Sequence, residues 1–510
     1  MSLQIPDSLA PNITRIVNAK TAIKNAINAK GGTLTNEKID EFADAIDALE
    51  ITEMNRVRYI DYDGTVLKTM YVADGGNATP PANPTHDRLT FVEWNNASTN
   101  IQQDTDIGAV YTTASGNTEV DLRLTVKTGK AQTFNLQLES GELTIDWGDG
   151  NTDTLDSTGS KSPSHTYADY GEYTVTFEIS EGGSWYPRQY FVGNETSRVF
   201  AIWFASGITQ MQTYTFAYAY GLMNITLPNT LTALPEYVFQ YSRVSYVVIP
   251  ASVTTMASRC FRECYCLGGV ALTASVTTIP NDAFTSCGKL TEIVIPSGVT
   301  DISSNAFYSC GSIHRVVFPT TLASIGNYAF YQNYSLEEAM LPDSVTSVGE
   351  YAFYRCYAMK RAHVSTAMTV ISSNTFQQCY ALTEINFPEG LTRINSGAFS
   401  DCNLAEVDFP STLTRLESDC FYLNRRLKRV EIPESVTYIG SGAFYECYNI
   451  REYIMNSETP PTLGSTSAFS SINYSCLIRV PRSDGLTVLN AYQTASNWSY
   501  YADWMVEKEA

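Results

Sequence analysis

The stretch Leu290–Cys310, LTEIVIPSGVTDISSNAFYSC, decides the fold. IVI reads as a short β-strand, and Pro296 ends it because proline has no N–H to give to a ladder. VTDI is a second extended piece, and AFYSC turns the chain back with Phe307 inward. The phrase recurs: phenylalanines stand at 216, 239, 261, 284, 307, 330, 353, 376, 399, 421, 444 and 469, spaced by 22 or 23 residues until a last step of 25. A second column keeps the step through Pro228, Pro250, Thr273, Pro296, Pro319, Pro342, Ser365, Pro388, Pro410 and Pro433. A fixed period in the twenties implies a solenoid, one coil per repeat, each coil burying its apolar edge against its neighbours.

Three residues after each phenylalanine stand Ala219, Ser242, Cys264, Cys287, Cys310, Asn333, Cys356, Cys379, Cys402, Asn424 and Cys447. Coils about 4.8 Å apart do not forbid disulfides by distance. In-register side chains run parallel, however, and alanine, serine and asparagine cannot make the bond. The column reads as a buried ladder of small side chains that pack and hydrogen-bond the turn's backbone. Metal or redox chemistry is the alternative.

These motifs, over about 300 residues, resemble the BspA-type leucine-rich repeat, and only Thr273 and Ser365 depart from the proline column. The ending CLIRVPRSDGLTVLNAYQTASNWSYYADWM is similar to the closing cap of such arrays, which implies a strand and a helix over the last coil.

Upstream the pattern changes. Ile16, Ala19, Ile23 and Ala26 recur at helical spacing, Gly31-Gly32 interrupts, and Ile39, Phe42, Ile46 and Leu49 resume. This is a helical hairpin or a short coiled-coil seam, serving self-packing, oligomerisation or docking. From Arg56, VRYIDYDGTVLKTMYV alternates about the turn pair Asp63-Gly64. With PPANPT and TFVEW it resembles the Listeria/Bacteroides-type repeat, a β-grasp-like module of surface adhesins. LTIDWGDGNTDTL and SHTYADYGEYTVTFEIS together resemble a polycystic-kidney-disease (PKD) domain, which implies an immunoglobulin-like β-sandwich carried on Trp147-Gly148-Asp149-Gly150 and His165-Thr166-Tyr167. Asp149, Asn151 and Asp153 alternate as in a calcium loop, but Thr154 replaces its glycine and Ser160 its glutamate, so a turn and strand is expected there.

The expected fold is therefore mainly β and multidomain. It comprises a helical segment over 1–52, a β-grasp-like module over 54–114, a PKD-like sandwich over 118–195, a leucine-rich-repeat solenoid over 200–455, and a last repeat and cap over 456–510. A chain of 510 residues needs such division, since one core serves roughly 100–200 residues. A net charge of −20 repels phosphate, which argues against nucleic-acid or anionic-membrane binding. No apolar run approaches the ~18 residues of a membrane span. The N-terminus does not read as a secretory signal, so release by cell lysis within a virus particle is one expected route.

No catalytic motif is present. His86, His165, His314 and His363 fall in separate modules or repeats, and a uniform array offers an extended surface in place of a pocket. No catalytic residue, metal or cofactor is expected. What the array does carry is tyrosine, at Tyr308, Tyr331, Tyr354 and Tyr445 beside the inward phenylalanines and at Tyr334, Tyr357, Tyr380 and Tyr448 just past the ladder. Stacked coils would align these rings into a receptor-binding stripe for protein or carbohydrate, or into a half-exposed shield over the turn. The helical segment is similar to openings of phage tail proteins. This implies a virion-surface adhesin, such as a tail fibre, that docks to other virion proteins through residues 1–52, can self-associate, and meets a host-surface protein or glycan with its solenoid, the small β-modules serving as spacers. A bacterial cell-surface adhesin and a carbohydrate-active enzyme with a targeting solenoid are the alternatives.

Overall fold

The structure is a computed structural model that describes residues 54–509 apart from 63, 87–88, 114–119, 127–130, 170, 194–198, 205–207, 273–274 and 473. The helical segment expected over 1–52, Asp63 and Thr273 lie outside the described residues. The described chain is mostly β, with few helices.

Strands β1 (Met54–Ile60), β2 (Val66–Ala73), β3 (Leu89–Trp94) and β4 (Thr105–Thr113) form one sheet in the order β2-β1-β4-β3. β1 is antiparallel to β2 and parallel to β4. The β1–β2 hairpin closes at Gly64, whose φ of +93° suits a residue without Cβ. Gly64 N–H donates there to the Asp61 carbonyl at 3.1 Å.

The next sheet runs through two architectures. Its strands Thr152–Leu155, Leu143–Asp146, Gly171–Ile179 and β5 (Val120–Val126) belong to the region of the WGDG and HTY motifs. Val199–Phe204 then pairs antiparallel with β5 on one side and parallel with Asn224–Thr226, the first strand of the solenoid, on the other. Its edge is thereby paired instead of open, which removes a template for aggregation. One core continues across the junction from Phe134, Trp147 and Phe177 through Phe191 and Phe204 to Phe216. WGDG and HTY meet in that region. Tyr167 Oη–H donates to the Trp147 carbonyl at 2.9 Å, and the His165 ring stacks on Trp147 at 5.0 Å.

Each coil of the solenoid has three sides. Strands such as Glu292–Val294 pair in parallel with the next coil, Glu292 opposite Arg315. Pro296 turns the corner and its carbonyl accepts from Val299 N–H at 3.0 Å. The second side carries two-residue strands such as Asp301–Ile302, paired to Ser324–Ile325. The third side is a turn with a ladder of its own. Tyr328, Phe330 and Gln332 donate their N–H groups to the carbonyls of Glu350, Ala352 and Tyr354 of the next coil, at 2.9, 2.8 and 2.8 Å.

That pattern requires a left-handed backbone two residues before and two after each phenylalanine from Phe216 to Phe444. Tyr328, Gln332, Tyr351 and Arg355 all have φ near +58°. Such residues cost roughly 1–2 kcal/mol each outside glycine. The ladder offsets this, because each strained residue places its N–H on a neighbouring carbonyl that burial would otherwise leave unpaired. The phenylalanine rings stack from Phe216–Phe239 at 5.3 Å to Phe444–Phe469 at 5.9 Å, widest where the step is 25 residues. Trp498 and Tyr501, after the short helix Thr487–Thr494, pack on Phe469 and cover the last coil.

The β1–β4 sheet is not a free spacer: it lies against the first side of the early coils. Ile60 and Val110 pack on Tyr246, Val248 and Ala271. Gly108 is required there, since a Cβ would sit 2.6 Å from Val248 Cγ1. Asn95 Nδ2 reaches the Ile249 carbonyl at 3.2 Å and Gln103 Nε2 the Ile295 carbonyl at 2.9 Å. Arg56, Arg58 and Arg315 interleave with Asp104, Asp106 and Glu292, with Arg58 Nη1 at 3.0 Å from Glu292. Burial, the largest single influence on Glu292, would raise its pKa, but the three arginines outweigh it and hold the carboxyl at about 2.

Candidate functional site

The cysteine column explains its own composition. Each thiol of Cys264, Cys287, Cys310, Cys356, Cys379, Cys402 and Cys447 donates to the carbonyl of the phenylalanine one coil earlier, as from Cys310 Sγ to Phe284 O at 2.9 Å and from Cys356 Sγ to Phe330 O at 3.4 Å. Asn333 and Asn424 make the same bond with Nδ2, to Phe307 O at 2.8 Å and Phe399 O at 2.7 Å. From Cys264 onward the column therefore selects a small donor, and no cysteine among the described residues is in a disulfide. Burial pushes Cys264 up to about 12 and Cys379 well above the usual thiol range. They remain S–H donors and are poor nucleophiles.

The tyrosines separate into stacks. Tyr308, Tyr331 and Tyr354 stack at 4.7 and 4.9 Å, and Tyr334, Tyr357 and Tyr380 stack beside them at 5.0 Å for each pair. Tyr445 lies further along, paired with Tyr422 at 5.6 Å, and Tyr448 is exposed next to it. The expected stripe is thus six rings of the eight in one patch and two apart. Two further rings join the patch, Tyr328 and Tyr351, stacked at 5.0 Å, the first tilted against Tyr331 and the second edge-on to Tyr354. They sit two residues before the phenylalanine, a column with the same period that sequence reasoning passed over. Arg355 was also missed: its guanidinium lies over Tyr354, 5.1 Å from the ring centroid, and bonds Gln378 at 2.7 Å.

Stacking along the solenoid axis constrains the chemistry. Within a column the ring faces cover one another, so the patch presents edges and phenolic hydroxyls to solvent. Amphipathic rings held rigid by their neighbours lose little entropy on binding, which suits recognition. Burial and neighbouring phenols raise the pKa of Tyr331 and Tyr334, keeping the hydroxyls protonated as donors.

The acidic loop at Asp149 is closed on itself. Its carboxylate accepts from Asn151 N and Nδ2 at 3.1 Å each and meets His165 Nε2 at 2.7 Å, while Asp153 takes the Trp147 indole at 3.1 Å. Among the described residues no group of three or more histidine, cysteine or acidic side chains could hold a metal ion. His86 pairs with Asp61, and His363 lies near Asp343, far apart in sequence from each other.

The profile of the BspA type leucine rich repeat region, six copies long, matches residues 191–314, 258–380, 300–428 and 369–484. This chain belongs to that family. BspA-type repeats thus account for the proline, phenylalanine and cysteine columns together. Solved structures to which the array is similar include a leucine-rich repeat protein from Bacteroides ovatus ATCC 8483, at 23% identity and TM-score 0.46 over 55% of this chain and 76% of that one. The leucine rich repeat protein of T. pallidum aligns at 31% identity and TM-score 0.31 over 32% and 78%. A leucine rich cell surface protein from Faecalibacterium prausnitzii A2-165 aligns at 22% identity and TM-score 0.38 over 63% and 96%. No curated protein matches the chain.

Proposed function

We propose that this protein is a non-enzymatic adhesin whose BspA-type solenoid binds a surface protein or glycan of a host cell. The observation that carries the reading is the patch of stacked tyrosines on the turn side, rigid, polar-edged and distinct from the side that holds the β1–β4 sheet. The resemblances of residues 54–114 to a Listeria/Bacteroides-type repeat and of 118–195 to a PKD domain support it, since both are adhesion-associated modules. Display on a phage particle rests on the likeness of residues 1–52 to tail-protein openings, with that segment joining other virion proteins or further copies of the chain. Display on a bacterial cell is the second reading, favoured by family membership and by the cell-surface relative of F. prausnitzii.

The test is binding of the full chain to a panel of bacterial envelopes, beside the variant Tyr331→Ala/Tyr354→Ala. The variant is expected to lose about tenfold in affinity, as truncation of two central aromatic anchors does. Undiminished binding would move recognition off the turn side. Antibody labelling of cells against virions released from the same culture separates the two sites of display.

A further inference from the structure

Two residues past the inward phenylalanines runs a column of half-buried polar side chains, Ser309, Gln332, Arg355, Gln378 and Asp401, one per coil. Ser309 Oγ–H donates to Gln332 Oε1 at 3.2 Å, and Arg355 Nε–H donates to Gln378 Oε1 at 2.7 Å. Both amide oxygens are thus engaged inside the column, and both amide NH2 groups are left without a partner among the described residues. Between them the Arg355 guanidinium caps the Tyr308–Tyr331–Tyr354 stack, 5.1 Å from the last ring centroid. Lys360 and Arg361 of the same coil are paired with Glu337 and Glu338, whereas Arg355 is in no ion pair among the described residues. The acid of its own column, Asp401, stands two coils further on, about 10 Å along the axis. Gln332, Arg355 and Gln378 share a left-handed backbone, φ +57°, +60° and +61°, and each N–H is tied to a carbonyl of the next coil at 2.8, 3.0 and 2.8 Å. Three successive coils about 4.8 Å apart therefore offer a fixed row of donors around one uncompensated cation.

We propose that Gln332, Arg355 and Gln378 form a subsite for the carboxylate of an acidic sugar in a glycan. The guanidinium pairs with the carboxylate, the flanking amides donate to its oxygens, and the phenols of the neighbouring columns meet the hydroxyls of the sugar ring. A densely charged polyanion would meet the net charge of −20 carried by the chain. A single carboxylate on a mainly neutral glycan feels chiefly the charges within a Debye length of about 8 Å, where Arg355 stands uncompensated. An acidic peptide would seek pockets for apolar anchors. Here the ring faces within each column cover one another, and the edges and hydroxyls they leave suit a ligand that is itself rich in hydroxyls. The subsite rests on the glycan form of the adhesin reading.

The experiment is saturation-transfer NMR and calorimetric titration of the full chain with the methyl glycosides of glucuronic acid, galacturonic acid and N-acetylneuraminic acid, beside methyl β-glucopyranoside, inorganic sulfate and acetyl-aspartyl amide. At least one acidic sugar is expected to bind with a dissociation constant of about 1 mM or weaker, and the neutral glucoside at least about tenfold more weakly. The three acids separate a uronic from a nonulosonic source of the carboxylate. Arg355→Gln weakens the binding about tenfold and Gln378→Leu about threefold. Both replacements suit the backbone, because Gln332 and Leu423 already hold the same left-handed position in their own coils. Arg361→Gln, on the first side of the same coil, leaves the binding within about twofold. Binding of no acidic sugar, equal binding of the neutral glucoside, or binding indifferent to Arg355→Gln would each overturn the subsite, as would sulfate or the aspartyl amide bound as tightly with the same dependence on Arg355. Envelope binding that persists while no acidic sugar binds overturns the subsite alone; Arg355-dependent sugar binding without envelope binding overturns the adhesin reading alone.

Discussion

The first side of the solenoid has an early and a late half with one backbone and different surfaces. In the early coils the outward positions are Tyr246, Val248, Gly269 and Ala271, small or apolar, and they lie under Ile60, Val110 and Gly108 of the β1–β4 sheet. In the late coils the same positions hold Arg361, Glu384, Arg429, Glu431, Glu452 and Arg479, which pair along the side, as Arg361 does with Glu338 and Arg479 with Glu452. Strand register is identical in both. The inward residues are thus set by the repeat, and the outward ones by what covers them. Between them Met340 is 52% exposed, an apolar residue just past the charged boundary at Arg315.

Four measurements would break or sharpen this comparison. The inward positions carry the largest effect. Phe353→Ala removes a ring stacked on both sides and is expected to cost ~3–5 kcal/mol in chemical denaturation, whereas Cys356→Ser keeps a donor for Phe330 and shifts stability little. Equal losses would show that the thiol does more than donate. Next, Gly108→Val drives a side chain into Val248 and is expected to cost about 1–3 kcal/mol. Amide exchange should then rise at 246–248 and 269–271 and stay unchanged at 452–455; a rise in both halves would mean that the β1–β4 sheet supports the whole array.

The third measurement is of pH. Glu292 is held at about 2 in the folded chain against an ordinary 4.5, so its ion pairs are fully stabilising above about pH 4.5 and are lost as pH falls toward 2. The early half should loosen in that window by amide exchange, and Glu292→Gln should flatten the response. An acid response in the late half alone would refute the assignment. The smallest effect is expected outside: Tyr357→Ala removes two ring contacts at the surface and should cost about 1 kcal/mol or less in thermal unfolding. A loss comparable to Phe353→Ala would make the tyrosines part of the core.

The inward columns were legible because each repeats every 22 or 23 residues and each coil meets its neighbour in register, so one residue type recurs wherever one environment recurs. The tyrosine columns were legible for the same reason, and their interruptions at Gly311 and Asn403 stand in the sequence at the same period. The left-handed column of Tyr328 carries a signature, since it also holds Asp282, Asn305, Asn374, Gly397, Asp419 and Gly442, residue types that tolerate positive φ. The column of Gln332 and Arg355 carries none: leucine, arginine, aspartate and glutamine occupy it, because the ladder of backbone bonds fixes the conformation irrespective of side chain.

The sequence by itself determined a periodic β-solenoid with a buried phenylalanine stack and a non-disulfide cysteine ladder, since period and residue size are local, repeated information. Only the tertiary structure decided that Val199–Phe204 joins the sheet of the WGDG region to the solenoid and that the β1–β4 sheet lies on the early coils. Those are meetings of residues up to 236 positions apart, such as Arg56 with Glu292, and they occur once each. A contact made once leaves no period in the chain to read.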